Sequence, residues 1–397
     1  MKKKKILFVQ ESLRLAGSEK SLVTLLKNLD PNKYEIDLQL VSYGGVLEKD
    51  LPSYVNLLPE LTFKQEIKKA LLQHLLSIRS YKDFKLWKAR LSYSFKLRNT
   101  KGRHSEKAQW FWETIGKEID ACNKKYDVAI GFAQGFPTFY VADKVQADKK
   151  FCWINANMVL EGNHKIFQEQ YYQQFNHVIC ITEKNKTITS KQIPSLKNLL
   201  VLENIIDYQD ILQAANAKEV PFKRNTTNIL TVGRLNDNSK GIDIAIEAAK
   251  VLKEKGKNFH WYFLGEGPFR SQMEDFIEKN DLHDFVTLLG TDANPYPYFK
   301  ATDIYVQPSR NEGFGRTVAE ARLLNIPPVC TNFDSVHQQI QQEHNGLITD
   351  LNGAAVAEGI IRLMEDKELY NKIKENLKKE EKENLESVKK FDALVGD

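Results

Sequence analysis

Short apolar runs recur along this chain at intervals filled by polar, helix-patterned segments, and this alternation restricts its fold more than any other feature. In the first half the runs are Lys5 to Gln10, Ile36 to Ser42, Val128 to Phe132, Phe151 to Asn155, Val178 to Thr182 and Leu199 to Glu203. In the second they are Asn228 to Gly233, His260 to Leu264, Val286 to Leu289, Asp303 to Gln307, Pro328 to Thr331 and Gly346 to Thr349. Continuous apolar runs of this kind suit strands covered on both faces, and the helical segments between them supply the crossovers a parallel sheet needs. The polar stretch Tyr208 to Thr227, with Pro221 inside it, separates the two sets. The expected class is therefore α/β, as two Rossmann-like doubly wound domains facing across a cleft, over 1–207 and 208–369. Ligands of such sheets bind at the carboxyl ends of the strands. A chain of 397 residues, 42% hydrophobic, is long enough for two cores.

Composition narrows the compartment and the partners. The opening MKKKKILFVQ imitates the start of an export signal, but its apolar run stops after Val9. No apolar stretch approaches a membrane span. Cys122, Cys152, Cys180 and Cys330 are scattered without a C-x-x-C pair and read as reduced thiols of a cytoplasmic protein. The net charge of +5 is uneven: between Lys64 and Arg103 twelve Lys or Arg face only Glu66 and Asp83. Within this segment Leu71, Leu72, Leu75, Leu76, Trp87, Leu91 and Phe95 recur at helical spacing. Such a basic, aromatic stretch suits an anionic membrane surface, and equally a pair of surface helices packed on their own domain. Nucleic acid is not expected, since no binding motif accompanies the charge.

The chemistry concentrates in Ser309 to Glu320. The run Asp303 to Gln307 is ended by Pro308, Gly313 and Gly315 permit unusual backbone angles, and a helix is expected from about Arg316. A strand, glycine loop and helix in series aim free N–H groups and a helix dipole at whatever lies above the sheet, which makes an anion site. Glu312 in the loop and Glu320 one turn into the helix are expected to face one cleft and accept hydrogen bonds from hydroxyl groups. A second strand-to-helix corner carries Gly233 and Arg234, followed by Lys240 and Gly241 ahead of the helix pattern Ile242 to Lys253. A rigid guanidinium fork and a mobile ammonium together suit a diphosphate. Gly265 and Gly267, in Leu264 to Pro268, would let backbone approach a base or phosphate. The missing third glycine and partner acid argue against a nicotinamide cofactor.

The set VGRL, KG, LGEGP and ATDIYVQPSRNEGFG, with two Glu separated by seven residues, resembles the retaining glycosyltransferases of GT-B type, family 4 or group 1, over Asn228 to Asp350. The first half is similar more loosely, with Ala16-Gly17-Ser18-Glu19 at the position of the family's GGAE-like loop. The resemblance implies a nucleotide-sugar donor, most often UDP-linked, bound by the second domain, and a helix over 370–397 crossing back onto the first. It assigns Arg234 and Lys240 to the diphosphate, Glu320 to the ribose and Glu312 to the transferred sugar. Backbone groups of Gly313, Phe314 and Gly315 would hold the sugar and phosphate side. Gly233, Gly265, Gly267 and Thr317 would complete the donor site, over which Gly17 would let the first-domain loop close. Members commonly carry a His where this chain has Asn155, two residues before Asn157, and both amides are candidate sugar or acceptor contacts. An amide takes no proton at neutral pH. No Asp-x-Asp occurs, so no metal or other cofactor is expected, and in the mechanism proposed for the family a donor phosphate oxygen takes the acceptor proton. The expected acceptor is a saccharide, lipid-linked, in the assembly of a surface polysaccharide such as a capsule, met at the inner face of the cell membrane. The alternative is a non-catalytic partner or stabiliser of an active transferase. Asn155 favours that alternative and the presence of Arg234, Lys240, Glu312 and Glu320 opposes it.

Overall fold

The computed structural model describes residues 2–14, 16–100, 102–236, 239–382 and 386–396. The chain forms two units, Met1–Ile205 with Glu386–Asp397, and Ile206–Leu385.

In the first unit the strands are β1 (Lys4–Gln10), β2 (Tyr34–Leu40), β3 (Val55–Leu57), β4 (Lys125–Gly131), β5 (Gln146–Ile154), β6 (His177–Cys180) and β7 (Leu199–Val201). They lie in the order β3-β2-β1-β4-β5-β6-β7, and every pairing is parallel. Ile6, Leu7, Phe8 and Val9 are all fully buried, as a central strand covered on both faces requires. Leu7, Val9, Ala129, Cys152 and Ile154 point to one layer of helices, where Trp112, Phe139 and Tyr172 fill the core. β3 has three residues and no extended apolar run, and is the one strand the alternation did not reveal.

The second unit holds β8 (Thr227–Val232), β9 (Phe259–Leu264), β10 (Val286–Gly290), β11 (Ile304–Gln307), β12 (Pro328–Thr331) and β13 (Leu347–Thr349). Their order is β10-β9-β8-β11-β12-β13, again wholly parallel. In each sheet the order reverses once, between β1 and β4 and between β8 and β11. At such a point adjacent crossovers run to opposite faces and leave a crevice at the carboxyl edge.

The C-terminal stretch expected as one helix over 370–397 is two. Lys367–Lys379 places Leu369, Ile373 and Leu377 in the core of the second unit. Glu386–Gly396 belongs to the first unit, where Phe391 stacks on Phe8 at 6.0 Å and Lys4 Nζ donates to Val395 O at 2.6 Å.

The basic segment forms helices Thr62–Lys68, Leu71–Leu76 and Tyr81–Asn99. Of the apolar row read at helical spacing, Phe95 is 71% exposed, and it is Leu86, Ala89 and Tyr93 that meet the core. Helical spacing fixed the period here but not the phase, because both faces carry large apolar residues. Among the described residues no helix is long and apolar enough to cross a membrane.

Candidate functional site

The loops after β8 and β11 meet at the switch point of the second sheet. Gly241 makes the contact feasible: its φ is +60°, and a Cβ there would lie 1.9 Å from Pro308 O, at the end of β11. Ser239 O accepts from the backbone N–H groups of Arg310 and Asn311 at 2.9 and 3.2 Å, tying one loop to the other. Arg310 adds a two-pronged bond to Asp243, in the first turn of helix Ile242–Glu254, at 2.7 and 2.5 Å. Burial works against the Asp243 charge, yet the Arg310 fork overcomes it and holds the carboxyl below its ordinary value.

Glu312 and Lys240 are brought together across this seam. Lys240 Nζ donates to Glu312 Oε1 at 2.6 Å, and the same oxygen accepts from Gln307 Nε2 at 2.9 Å and Ser309 Oγ at 2.7 Å. Gln307 is fixed in turn by Tyr305 Oη and Thr317 Oγ1, which both donate to its Oε1. Gln307 and Ser309 are 1% and 0% exposed, so the cage around this oxygen is a built-in part of the fold. Among the described residues no protein group bonds Glu312 Oε2. One oxygen is locked and the other has no protein partner among these residues, in a side chain that keeps 11% of its surface exposed. Arg234 stands exposed at the end of β8, without a side-chain partner among the described residues. Asp237 and Asn238, between the two cations, lie outside the described residues.

The helix Arg316–Leu323 starts where expected, with Gly315 as its N-cap at φ +75°. Its first N–H groups have no partner inside the helix and carry the positive end of the dipole. Gln339 Nε2 donates to the carbonyls of Phe314 and Gly315, which holds the Gly313–Phe314–Gly315 turn in place.

Glu320 is not placed as the sequence suggested. It is 1% exposed, and its Oε1 accepts from Arg316 Nε and Tyr296 Oη, both at 3.0 Å. Burial and then the Glu320 charge push the Tyr296 phenol well above its ordinary value. Burial disfavours the Arg316 cation, but the carboxylate beside it more than compensates and raises its pKa. One oxygen of Glu320 is thus held by a buried pair. Gly265 and Gly267 also serve a purpose the sequence did not show. A Cβ at Gly265 would lie 1.8 Å from Gly233 O, and one at Gly267 would lie 2.2 Å from Leu235 O. The space is taken by the neighbouring loop's backbone. The glycines let the loops after β8 and β9 lie against each other.

In the first unit Gly17 begins helix Gly17–Asn28. Asn155 Nδ2 donates to Phe132 O at 2.8 Å, leaving its buried Oδ1 unpaired, while Asn157 Oδ1 accepts from Asn185 Nδ2 at 3.1 Å. All four cysteines are free thiols, and burial pushes Cys180 up to about 11.

Residues 213–380 match the family of glycosyl transferases group 1. The second unit carries a group 1 glycosyl transferase domain. An uncharacterized glycosyltransferase of Methanocaldococcus jannaschii is 27% identical over 205 residues, 48% of this chain and 50% of that protein. The N-acetylgalactosamine-N,N'-diacetylbacillosaminyl-diphospho-undecaprenol 4-alpha-N-acetylgalactosaminyltransferase of Campylobacter jejuni is 30% identical over 186 residues, 46% of this chain and 49% of that protein. The chain thus spans about half the length of these curated relatives. The crystal structure of Anabaena HepE in complex with UDP superposes with a TM-score of 0.65 at 16% identity, covering 99% of each chain. At that identity the likeness concerns the fold, which is the two-domain GT-B architecture. The group 1 domain includes Arg234, Lys240, Glu312 and Glu320, whereas Gly17, Asn155 and Asn157 lie outside it.

Proposed function

We propose that this protein is a glycosyltransferase that moves a hexose-type sugar from a UDP-linked donor to a saccharide acceptor with retention of configuration and without a metal. The observation that carries the reading is the Glu312 carboxylate, one oxygen held by Lys240, Gln307 and Ser309 and the other open, at the switch point of a group 1 domain. An open carboxylate oxygen is suited to a sugar hydroxyl. Arg234, Lys240 and the first turn of helix Arg316–Leu323 supply positive charge where the departing diphosphate needs it, the task a metal performs elsewhere. Retention follows if a donor phosphate oxygen takes the acceptor proton on the face the leaving group vacates. The bond from anomeric carbon to phosphate oxygen breaks, the acceptor oxygen bonds to that carbon, and the proton leaves on the nucleoside diphosphate. UDP is supported by the fold shared with a UDP-bound protein. A lipid-linked acceptor in surface polysaccharide assembly, met at an anionic membrane face, is supported by the diphospho-undecaprenol in a relative's name and by the basic segment between Lys64 and Arg103.

Calorimetric titration with UDP, GDP, ADP and their sugar conjugates in EDTA tests the donor site. UDP compounds should bind, and Lys240→Ala should weaken them at least tenfold. Silence with every nucleotide would leave the non-catalytic partner as the better reading. An inverted product, read from the anomeric proton coupling, would refute retention.

A further inference from the structure

A cavity of about 650 Å³ opens wholly within the first unit. It sits at the switch point of that sheet, lined by Glu11 just after β1 and by Gln134 to Phe136 after β4, with Ala156 to Leu160 after β5. Its walls combine two kinds of surface. Tyr93, Phe111 and Phe136 form an aromatic wall, with Tyr93 edge-on to Phe111 at 5.4 Å and Phe111 to Phe136 at 6.1 Å. Lys64, Lys107 and Arg103 supply the charge. Arg103 is already occupied by Glu106 and Glu161, at 3.5 and 3.1 Å. Lys64 and Lys107 have no carboxylate partner among the described residues. Lys64 is half-buried, and burial lowers its ammonium below the ordinary value even with Glu11 nearby to support the charge. A half-buried ammonium that donates to Ser42 Oγ at 3.4 Å, with no carboxylate in contact among the described residues, is stabilised by an anion from outside.

We infer that this cavity binds the phosphate-bearing part of the acceptor, with Lys64 and Lys107 on the phosphate and the aromatic wall against the group attached to it. The inference rests on the glycosyltransferase reading and gives its acceptor a chemical class. Two point-charge ammoniums, with the one guanidinium fork engaged elsewhere, match a dianionic phosphate better than a planar carboxylate. The phosphate could come from a prenyl diphosphate linkage or from a polyol phosphate chain, and both present the same group to the two lysines.

Calorimetry on the full chain with geranyl diphosphate, glycerol 3-phosphate and geraniol separates the sources. The background should be Arg234→Ala with Lys240→Ala, which removes the cations of the second unit. At least one phosphate probe should bind, geraniol should bind at least tenfold more weakly, and Lys64→Gln with Lys107→Gln should cost tenfold or more. Preference for geranyl diphosphate assigns a lipid-linked acceptor and preference for glycerol 3-phosphate a polyol phosphate. Lys107→Gln alone, at an exposed position, should fold normally and lose severalfold. Absence of binding by both phosphate probes, or equal binding to the lysine variants, overturns the inference. Failure here with the UDP titration intact leaves the donor reading standing, whereas phosphate binding with every nucleotide silent would leave a phosphate site and overturn its assignment to an acceptor.

Discussion

Three donors converge on a single oxygen of Glu312, and that concentration makes the residue sensitive to its neighbours. Exchanging Glu312 for Gln removes the charge facing Lys240 and presents either an amide oxygen or an amide nitrogen to donors. With the donor identified by titration, Glu312→Gln should lower kcat/KM at least a hundredfold, measured by sugar transfer. Ser309→Ala removes one neutral contributor and should cost about 1 kcal/mol, roughly fivefold, in the same assay. Gly241→Ala has a different origin. Its φ of +60° and the 1.9 Å approach to Pro308 O mean that a methyl group must part the two loops. A loss of about 2 kcal/mol or more is expected in urea unfolding, with nucleotide binding weakened in parallel. At this scale the sequence was half legible. Lys240 and Glu312 stood out by spacing, whereas Gln307 and Ser309 were not singled out, since only the folded loop brings them onto the Glu312 oxygen. The burial of Glu320 was not visible, because it depends on Tyr296 arriving from a separate helix.

Among the elements, helix Tyr81–Asn99 turns an unusual face outward. Tyr81, Phe84 and Phe95 are 73%, 44% and 71% exposed, and Leu72 and Leu76 on the preceding helix are 68% and 80% exposed. Lys82 and Lys96 are paired with Asp120 and Glu113, but Lys85, Lys88 and Arg98 have no carboxylate partner among the described residues. Apolar side chains interleaved with uncompensated cations are what an anionic bilayer surface attracts. Sedimentation with phosphatidylglycerol vesicles at low salt should therefore recover the protein. Lys85→Gln, Lys88→Gln and Arg98→Gln together should reduce partitioning about a hundredfold, at about 1 kcal/mol per charge. Equal recovery with neutral vesicles would refute the electrostatic part of this reading. The strands themselves were the most legible elements, since burial on both faces leaves a continuous apolar signature. The helix phase was not, because apolar residues ring this helix and only the tertiary partner decides which side is covered.

Over the whole molecule, burial pushes the imidazoles of His74, His164, His177 and His260 below their ordinary value. Above about pH 6.5 both folded and unfolded chains hold these groups neutral, so they add no pH dependence. As pH falls through that value the unfolded chain takes up protons the folded one refuses, and stability declines until the lower folded values are reached. Asp37 has the other window. Burial disfavours its charge, but bonds from Lys124, Asn56 and Tyr126 prevail and lower its pKa, so its contribution is lost only below about pH 4. Urea midpoints should be flat from pH 8 to 7 and fall between pH 6.5 and 5. A flat profile across that second range would contradict the lowering of these four imidazoles, three buried and His177 half-buried.

The return of Glu386–Gly396 to the first unit has a consequence for synthesis. Phe391 and Val395 are 0% and 1% exposed there, so this unit lacks part of its core until residues 386–396 are made. Once residues through Leu377 have left the ribosome the second unit can close its own core, while the unit begun earlier still waits for helix Glu386–Gly396. A chain truncated just before Glu386 and released should thus show a protease-resistant second unit joined to a sensitive first one, a reversal of the order in which the two are translated.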